Sequence, residues 1–304
     1  MKFFVVLLLF TSVNVFAQDS SVASRKEIVY GRKDGMALMM YMESPNGTSN
    51  KKAIISIING SWRSGYESML RISESNKLYT SKGYTVFSVI TSSQPRYAIP
   101  DEVDDVKRAV RFIRFHAADY GIDPAKIGIT GASSGGHLAL VVATADEKLN
   151  PDAPDPVDRV SSRVQAVAVF YPPTDFLNFG QKVINSGATK AILIATGVAA
   201  AFDFKKWNDT TRTYTSVTDD EIKLGIAKQN SPIYAVSSDD PPVLIIHGDA
   251  DRLVPIQQSE SIIEKFKEAK VPNSLIVKKG GGHGWRDLET EQKNFVDWFD
   301  RYLQ

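Results

Sequence analysis

Short, nearly unbroken apolar runs recur along the chain and limit the folds open to it. Residues 52–59 (KAIISIIN) and 84–90 (YTVFSVI) are two such runs, typical of strands that are buried on both faces of a parallel sheet. In residues 101–119, apolar side chains instead fall on one helical stripe, and acidic residues precede basic ones, as the helix dipole favours. We therefore predict an α/β fold with a mostly parallel central sheet and helices on both faces. Further strands are predicted at 127–130, 165–171, 243–247 and 274–278, and further helices at 256–269 and 288–303.

Two stretches depart from this alternation. Residues 27–43 contain two extended runs around a Lys33-Asp34-Gly35 turn, a pattern that predicts an N-terminal antiparallel hairpin. Residues from about 176 to 232 combine an apolar AILIATGVAAAF segment with a polar NDTTRTYTSVTDDE segment. We predict that this stretch is a mostly helical cap inserted over one edge of the sheet. Three aromatic side chains are candidates to face the space beneath it: Phe176, Phe179 and Trp207.

The N-terminus has the pattern of a cleavable secretory signal. Lys2 precedes an apolar run at residues 3–10 that is too short to span a bilayer, and residues small enough for a cleavage site follow at Val15 and Ala17. We predict a signal peptide at 1–17, a hydrolase domain at 18–304, a secreted or periplasmic location and no stable membrane insertion after cleavage. A retained N-terminal anchor is the alternative.

The composition excludes several other classes of protein. The chain has 36 Lys and Arg against 35 Asp and Glu, so no bulk electrostatic field attracts nucleic acid or an anionic membrane. The absence of cysteine removes disulfides and thiolate metal ligands. No histidines are paired at the spacing of metal ligands, and we expect neither a metal nor any other cofactor.

A serine lies in a tight turn between a predicted strand and a predicted helix. Gly131-Ala132-Ser133-Ser134-Gly135 follows the strand-like KIGIT and precedes the helix-like LALVVATA, which is the context in which G-x-S-x-G marks a nucleophile. Glycine two positions before and two after Ser133 avoids a steric collision in so sharp a turn. Ser133 would stand at a helix N-terminus, where free N–H groups can stabilise a developing negative charge. Ser134 is a weaker candidate, because Ala132 occupies the position two residues before it.

A serine hydroxyl needs a neighbouring base to act as a nucleophile at neutral pH, and the chain has only four histidines. His283 is the candidate base, because it stands in the glycine-framed loop GGGHGW after the last predicted strand. Of the other three, His116 is expected to face solvent or cap a contact, and His137 to be structural in the packing of the helix after Ser133. His247, at the end of a strand, is expected to be a buried, hydrogen-bonded residue.

The acid that orients this base is expected in the loop HGDADRLVP, residues 247–255. The chain order nucleophile, acid, base fits this position. Asp251 is favoured, because it lies farther along the loop and has more freedom to reach an imidazole. Asp249 is the alternative, although it directly follows Gly248 and can serve as a turn-forming residue.

Backbone N–H groups on two loops are candidates for an oxyanion hole. One is that of Ser134, the residue after the nucleophile, and the other comes from the loop that follows the first long apolar strand. In that loop, Gly60 or Ser61 supplies the second donor, and Asn59 is a candidate side-chain donor.

These motifs resemble those of the α/β-hydrolase family of serine esterases. The resemblance runs through residues 26–302 and is strongest in DDVKRAVRFIRFHAADYGIDPAKIGITGASSGGHLAL and DDPPVLIIHGDADRLVP. It points to secreted carboxylesterases of the feruloyl- and acetyl-esterase kind, near the hormone-sensitive-lipase branch, and implies that Ser133, Asp251 and His283 match that family's triad. The chain departs from the family at INGSW (58–62), where such esterases usually carry His-Gly-Gly-Gly-Trp.

We therefore expect a carboxylic ester hydrolase that cleaves short-acyl or aryl esters, including acetyl or feruloyl groups on saccharides. The polar insertion is unlike the broad apolar lid of a lipase. A serine peptidase of the prolyl-oligopeptidase type and a catalytically inactive binding protein are the alternatives. The candidate substrate-contacting residues are those near the predicted site in sequence: Asn59, Trp62, Arg96, Tyr97 and Trp285.

Overall fold

A twisted sheet organises the structure, a computed structural model that describes residues 24–45, 47–71, 73–180 and 190–304. Within those ranges, eight strands form one sheet in the order β1-β2-β4-β3-β5-β6-β9-β10. The first two pairings, β1 with β2 and β2 with β4, are antiparallel, and all the others are parallel. The strands are β1 (Ser24–Lys33), β2 (Met36–Ser44), β3 (Ala53–Ile57), β4 (Thr85–Val89), β5 (Ile127–Ala132), β6 (Ala166–Phe170), β7 (Lys205–Asn208), β8 (Thr213–Ser216), β9 (Val243–Gly248) and β10 (Asn273–Lys278).

Helices cover both faces of this sheet. Successive strand residues point to opposite faces, so Ile55 and Ile129 pack in a core with α3, α4 and α7, whereas Ile54 and Ile246 pack in a second core with α2 and α8. The predicted α/β fold, with its N-terminal antiparallel hairpin, is confirmed. The helices are α1 (Tyr66–Arg71), α2 (Ser73–Thr80), α3 (Ile99–Phe115), α4 (Ser134–Thr144), α5 (Lys190–Ala195), α6 (Asp220–Gln229), α7 (Gln257–Glu268) and α8 (Leu288–Tyr302).

The segment between β6 and β9 holds the predicted insertion, and its secondary structure is only partly as expected. Helices α5 and α6 lie in it, but the polar segment forms the antiparallel hairpin β7–β8 instead of a helix. Asn208 explains the turn, because its side-chain oxygen accepts hydrogen bonds from the N–H groups of Thr210 and Thr211. At the base of the hairpin, the Val217 N–H donates to the Phe204 carbonyl at 2.8 Å, and Phe204 is buried in the core.

The predicted signal peptide, residues 1–17, lies outside the described residues. In the part of the chain that the structure describes, the helices are all too short or too polar to cross a membrane.

His137 on α4 is fully buried beneath the insertion. One ring nitrogen, Nε2, lies 2.7 Å from the Asn230 carbonyl oxygen, and the other, Nδ1, accepts a hydrogen bond from the Trp62 indole at 3.3 Å. Burial lowers the pKa of His137 to about 4, although the bond to Asn230 partly opposes this shift. The imidazole is therefore neutral in the folded protein.

This burial makes the stability depend on pH. Between the unfolded pKa of about 6.5 and the folded pKa of about 4, the unfolded chain binds one proton more than the folded chain. His137 therefore costs stability as pH falls through that window, by up to about 3 kcal/mol. Replacing it by glutamine, which does not titrate, should reduce the loss of unfolding free energy between pH 7 and pH 4.5, measured by urea denaturation. An equal loss in the wild-type protein and His137→Gln would contradict this account.

Candidate active site

The Ser133 turn joins β5 directly to α4. Ser133 has φ of 54°, in the left-handed region that non-glycine residues seldom adopt. Its N–H donates to the Phe170 carbonyl at 3.0 Å, and its own carbonyl accepts the His137 N–H at 2.9 Å. Neighbouring strand and helix backbone thus hold the strained residue at the carboxyl edge of the sheet.

Close backbone packing explains the two glycines that frame Ser133. A Cβ atom at Gly131 would lie only 2.5 to 2.8 Å from backbone atoms of Gly135 and Gly136. A Cβ atom at Gly135 would lie 2.7 Å from the Ile57 carbonyl oxygen. Any larger residue would therefore push β5, α4 and β3 apart at the point where the serine projects.

The structure brings the three residues of the predicted triad together. The Ser133 Oγ lies 2.8 Å from His283 Nε2, and His283 Nδ1 lies 2.7 Å from Asp251 Oδ2. With the carboxylate ionised, His283 donates its Nδ1–H to Asp251 and accepts the serine proton at Nε2. Nucleophile, base and acid come from the ends of β5, β10 and β9, which meet at one edge because these strands are parallel.

Several donors surround the Asp251 carboxylate, which is fully buried. Burial alone would raise its pKa, but hydrogen bonds from His247, His283 and the Val254 N–H hold the pKa below the usual range of an aspartate. The Leu253 N–H also donates to it, at 2.8 Å. This carboxyl group stays ionised and can stabilise a protonated imidazole.

The neighbouring Asp249 has a different environment. Its Oδ1 accepts the Gly280 N–H at 2.6 Å, so it ties the loop after β9 to the loop after β10. Of the two aspartates considered from the sequence, Asp251 is the one that meets His283.

Two side chains beside the triad have roles that the sequence did not reveal. Tyr171, directly after β6, packs its ring 4.5 Å from that of His283, and burial raises the pKa of its phenol to about 12. His247 was expected to be a buried, hydrogen-bonded residue, and it also reaches Asp251 at 3.4 Å while bonding Ser259 and the Val254 carbonyl. The only sequence signal was that both residues stand at the carboxyl ends of apolar runs.

The two candidate oxyanion loops lie against each other. Ser134 opens α4, so its N–H has no partner within the helix. In the other loop, the Gly60 N–H already donates to the Arg63 carbonyl at 2.9 Å. Within the described residues no hydrogen-bond partner is found for the Ser61 N–H, and the geometry therefore favours Ser61 over Gly60 as the second donor.

The structure does not support two of the predicted substrate contacts, both in this loop. Trp62 is buried, donates to His137 and packs edge-on against Phe176 and Phe202, so it belongs to the core. The Asn59 side-chain nitrogen is already within 2.7 Å of Glu102 and 3.1 Å of Thr91, which leaves it no free hydrogen for a ligand.

The loop after β4 holds two further predicted contacts, Arg96 and Tyr97, which face the N-terminal hairpin. Tyr97 is buried and donates to the Asp34 carboxylate at 3.2 Å, and Arg96 donates to the Asp34 carbonyl at 3.3 Å. In the described ranges neither residue contacts the triad, because their hydrogen bonds to Asp34 hold both side chains against the hairpin turn. The structure does not support a substrate role for either.

Aromatic candidates elsewhere fall into two groups. Trp285 packs edge-on against Phe170 and Tyr171, close to the base, and its role as a substrate contact stays a prediction. Phe176 is fully buried, and Phe179 packs on the same core. Trp207 instead lies exposed on the β7–β8 hairpin.

This arrangement supports transfer of an acyl group to serine. A hydroxyl, an imidazole and an ionised carboxylate stand in one hydrogen-bonded line beside a helix N-terminus. Among the residues that the structure describes, no cluster of three or more potential metal-ligating side chains is found.

Comparisons with known proteins match this chain to one protein family and to several esterases. The BD-FAE family profile matches residues 38–266. Esterase LipQ of Mycobacterium tuberculosis is 28% identical over 276 residues, which cover 88% of this chain and 58% of that protein. The probable carboxylic ester hydrolase LipM of the same organism is 27% identical over 61% of this chain and 38% of its own length. This chain thus spans less than two thirds of these curated relatives.

Two solved structures share the architecture. A truncated carbohydrate esterase from gut microbiota superposes with a TM-score of 0.72 at 26% identity, covering 94% of this chain and 98% of the other. A bifunctional GH43-CE protein of Bacteroides eggerthii superposes with a TM-score of 0.70 at 27% identity, covering 94% of this chain and 38% of its own.

Proposed function

This chain belongs to the BD-FAE family, and from that premise we propose that it is a carboxylesterase that works through an acyl-serine intermediate. The observation that carries the proposal is the hydrogen-bonded line from Ser133 through His283 to Asp251. The esterases among its relatives support the same reaction class.

In the first step, Ser133 Oγ attacks the ester carbonyl carbon while its proton passes to His283 Nε2. The Asp251 carboxylate stabilises the resulting imidazolium and holds the ring tautomer. The negative charge on the former carbonyl oxygen is stabilised by the N–H groups of Ser134 and Ser61. His283 then gives the proton to the alcohol oxygen, the C–O bond breaks, and the alcohol leaves.

In the second step, water replaces the alcohol. His283 removes a proton from the water as its oxygen attacks the acyl carbon, and the same two N–H groups stabilise the second oxyanion. Collapse of this intermediate returns the proton to Ser133 Oγ and releases the carboxylic acid. Each proton taken up by the imidazole is returned, so the cycle needs no outside acid or base.

We propose esters on saccharides, acetyl or feruloyl groups in particular, as the substrate class. Similarity to the gut carbohydrate esterase supports this class, as does the predicted secretory signal, since polymeric saccharides are met outside the cytoplasm. On the β7–β8 hairpin, the paired residues Trp207 and Tyr214 lie with ring centroids 5.2 Å apart and are 49% and 63% exposed. Exposed aromatic rings of this kind give a sugar ring an apolar surface to contact.

The alternative functions are a serine peptidase and a binding protein without catalytic activity. A serine peptidase would use the same triad, and peptide substrates in the assays below distinguish it. A binding protein without activity would not need an ionised, buried Asp251 held against His283 beside a strained serine.

The first test measures the triad by turnover of 4-nitrophenyl acetate. Ser133→Ala should lower kcat by about 10⁶-fold, and Asp251→Asn by about 10⁴-fold, the sizes found for equivalent changes in serine proteases. Asp249→Asn is the matched control, because it removes a charge from the same loop without touching His283, and its kcat should stay near the wild-type value.

A different order of activities among these variants would change which residues are assigned as nucleophile and acid. Activity retained in Ser133→Ala but lost in Ser134→Ala would move the nucleophile, and a larger loss in Asp249→Asn than in Asp251→Asn would move the acid. Cleavage of peptides without cleavage of esters would replace the esterase by the peptidase.

The second test concerns saccharide substrates. Trp207→Ala should raise KM several-fold for an acetylated oligosaccharide but leave KM for 4-nitrophenyl acetate unchanged, because only the oligosaccharide carries sugar rings for the exposed indole to contact. Phe115→Ala is the matched control, since it removes a 46% exposed aromatic ring from α3. Equal effects of Trp207→Ala on both substrates, or none on the oligosaccharide, would contradict a saccharide contact at this hairpin.

A further inference from the structure

A buried carboxyl group lies behind the oxyanion loop. Glu102, in the first turn of α3, is fully buried, and its Oε2 accepts a hydrogen bond from the Asn59 side-chain nitrogen at 2.7 Å. Its other oxygen, Oε1, has no hydrogen-bond partner among the described residues, and no lysine or arginine there forms an ion pair with it. A buried carboxyl group without a counter-ion costs stability, so a role for Glu102 must be sought in the residues that it contacts.

Asn59 connects this carboxyl group to the nucleophile helix. Its Oδ1 accepts the Ser134 hydroxyl proton at 2.7 Å while its Nδ2 donates to Glu102 and Thr91. The side chain is therefore fully used as a bridge between the first turn of α3 and the first turn of α4. Ser134, at the far end of the bridge, is buried and supplies one proposed oxyanion N–H.

Residues 91–94, in the loop before α3, hold the rest of the oxyanion loop in place. Gln94, in the loop before α3, donates from Nε2 to the Ser61 carbonyl at 2.6 Å and from its backbone N–H to the Trp62 carbonyl at 3.2 Å. Thr91 and Ser64 are joined by a backbone-to-side-chain bond at 3.2 Å. These bonds hold residues 59–64 against residues 91–94.

We propose that Glu102 and Asn59 are positioning residues that hold the two oxyanion donors, the N–H groups of Ser61 and Ser134, toward one point. The two donors come from different elements, the loop after β3 and the start of α4, and an oxyanion is stabilised only where both reach it. The Glu102–Asn59–Ser134 bridge spans these elements directly. The proposal rests on the esterase function above, because it assigns the bridge a role in that reaction.

The protonation of Glu102 decides which substitution should preserve the bridge. Burial raises the pKa of this carboxyl well above its usual range, the nearby Asp105 and Asp101 raise it further, and the bonds from Asn59 and Thr91 only partly oppose the shift. This shift favours the neutral, protonated form of the group. Glutamine is neutral, has the same shape and can accept the Asn59 bond through its carbonyl oxygen, so it should replace Glu102.

The test compares kcat and KM for 4-nitrophenyl acetate across a set of variants. Glu102→Ala should lower kcat by about 10- to 100-fold with little change in KM, because a displaced donor weakens transition-state binding and not substrate binding. Glu102→Gln should keep kcat within about threefold of wild type. Asn59→Ala should resemble Glu102→Ala, and the double variant should be no slower than the slower single variant, because both break one bridge.

A second buried carboxyl group in the same protein provides the control. Glu43 on β2 is also buried and accepts a hydrogen bond from an asparagine, Asn76. Glu43→Ala should lose stability, as Glu102→Ala does, yet keep the wild-type kcat. Melting temperatures of all variants identify an assay temperature at which each is folded. If Glu102→Ala does not fold, Asn59→Ala carries the test, because Asn59 is only half-buried.

The results of these assays distinguish failure of the bridge from failure of the proposed esterase function. A wild-type protein without activity on any ester would overturn both. An active wild type with unchanged kcat in Glu102→Ala and Asn59→Ala would overturn the bridge alone. The same would follow if Glu102→Gln were as slow as Glu102→Ala, or if Glu43→Ala slowed kcat equally.

Discussion

The steric exclusion of side chains around Ser133 is the constraint on which the rest of the site depends. Strand β5, helix α4 and the end of β3 approach so closely that Gly131 and Gly135 have no space for a Cβ atom. Only this close approach allows the chain to pass from strand to helix through a single residue at φ of 54°. The strained turn lifts the hydroxyl above the sheet edge and leaves the first N–H groups of α4 beside it.

The parallel sheet then supplies the partners of that serine. Strands β9 and β10 end at the same edge as β5, so their loops bring Asp251 and His283 to the hydroxyl from far along the chain. Asp251 lies between two imidazoles, His247 and His283, and the donors around it keep its pKa low. The site thus holds an ionised, fully buried acid against a base that is partly exposed.

Residues whose roles follow from local sequence could be predicted. The strands and main helices are marked by their apolar patterns. Ser133 is marked by the glycines around it, and Asp251 and His283 by their positions in loops that follow apolar runs. Contacts between distant segments could not be predicted. Trp62 was expected near substrate but packs in the core, and Asn59 was expected to donate to a ligand but bridges Glu102 and Ser134, because each partner lies far away in sequence. The β7–β8 hairpin was missed because its polar segment lacks the apolar alternation that marks a strand.

Activation of Ser133 by His283 is the step on which the proposed reaction depends. The most direct measurement is reaction of the folded protein with a fluorophosphonate, followed by fragmentation mass spectrometry of the peptide that carries the adduct. Ser133 and Ser134 are adjacent, so fragment ions must separate them. We expect a single adduct on Ser133, formed rapidly in the wild-type protein and far more slowly in His283→Ala. An adduct on Ser134, or a folded wild-type protein that does not react, would contradict it.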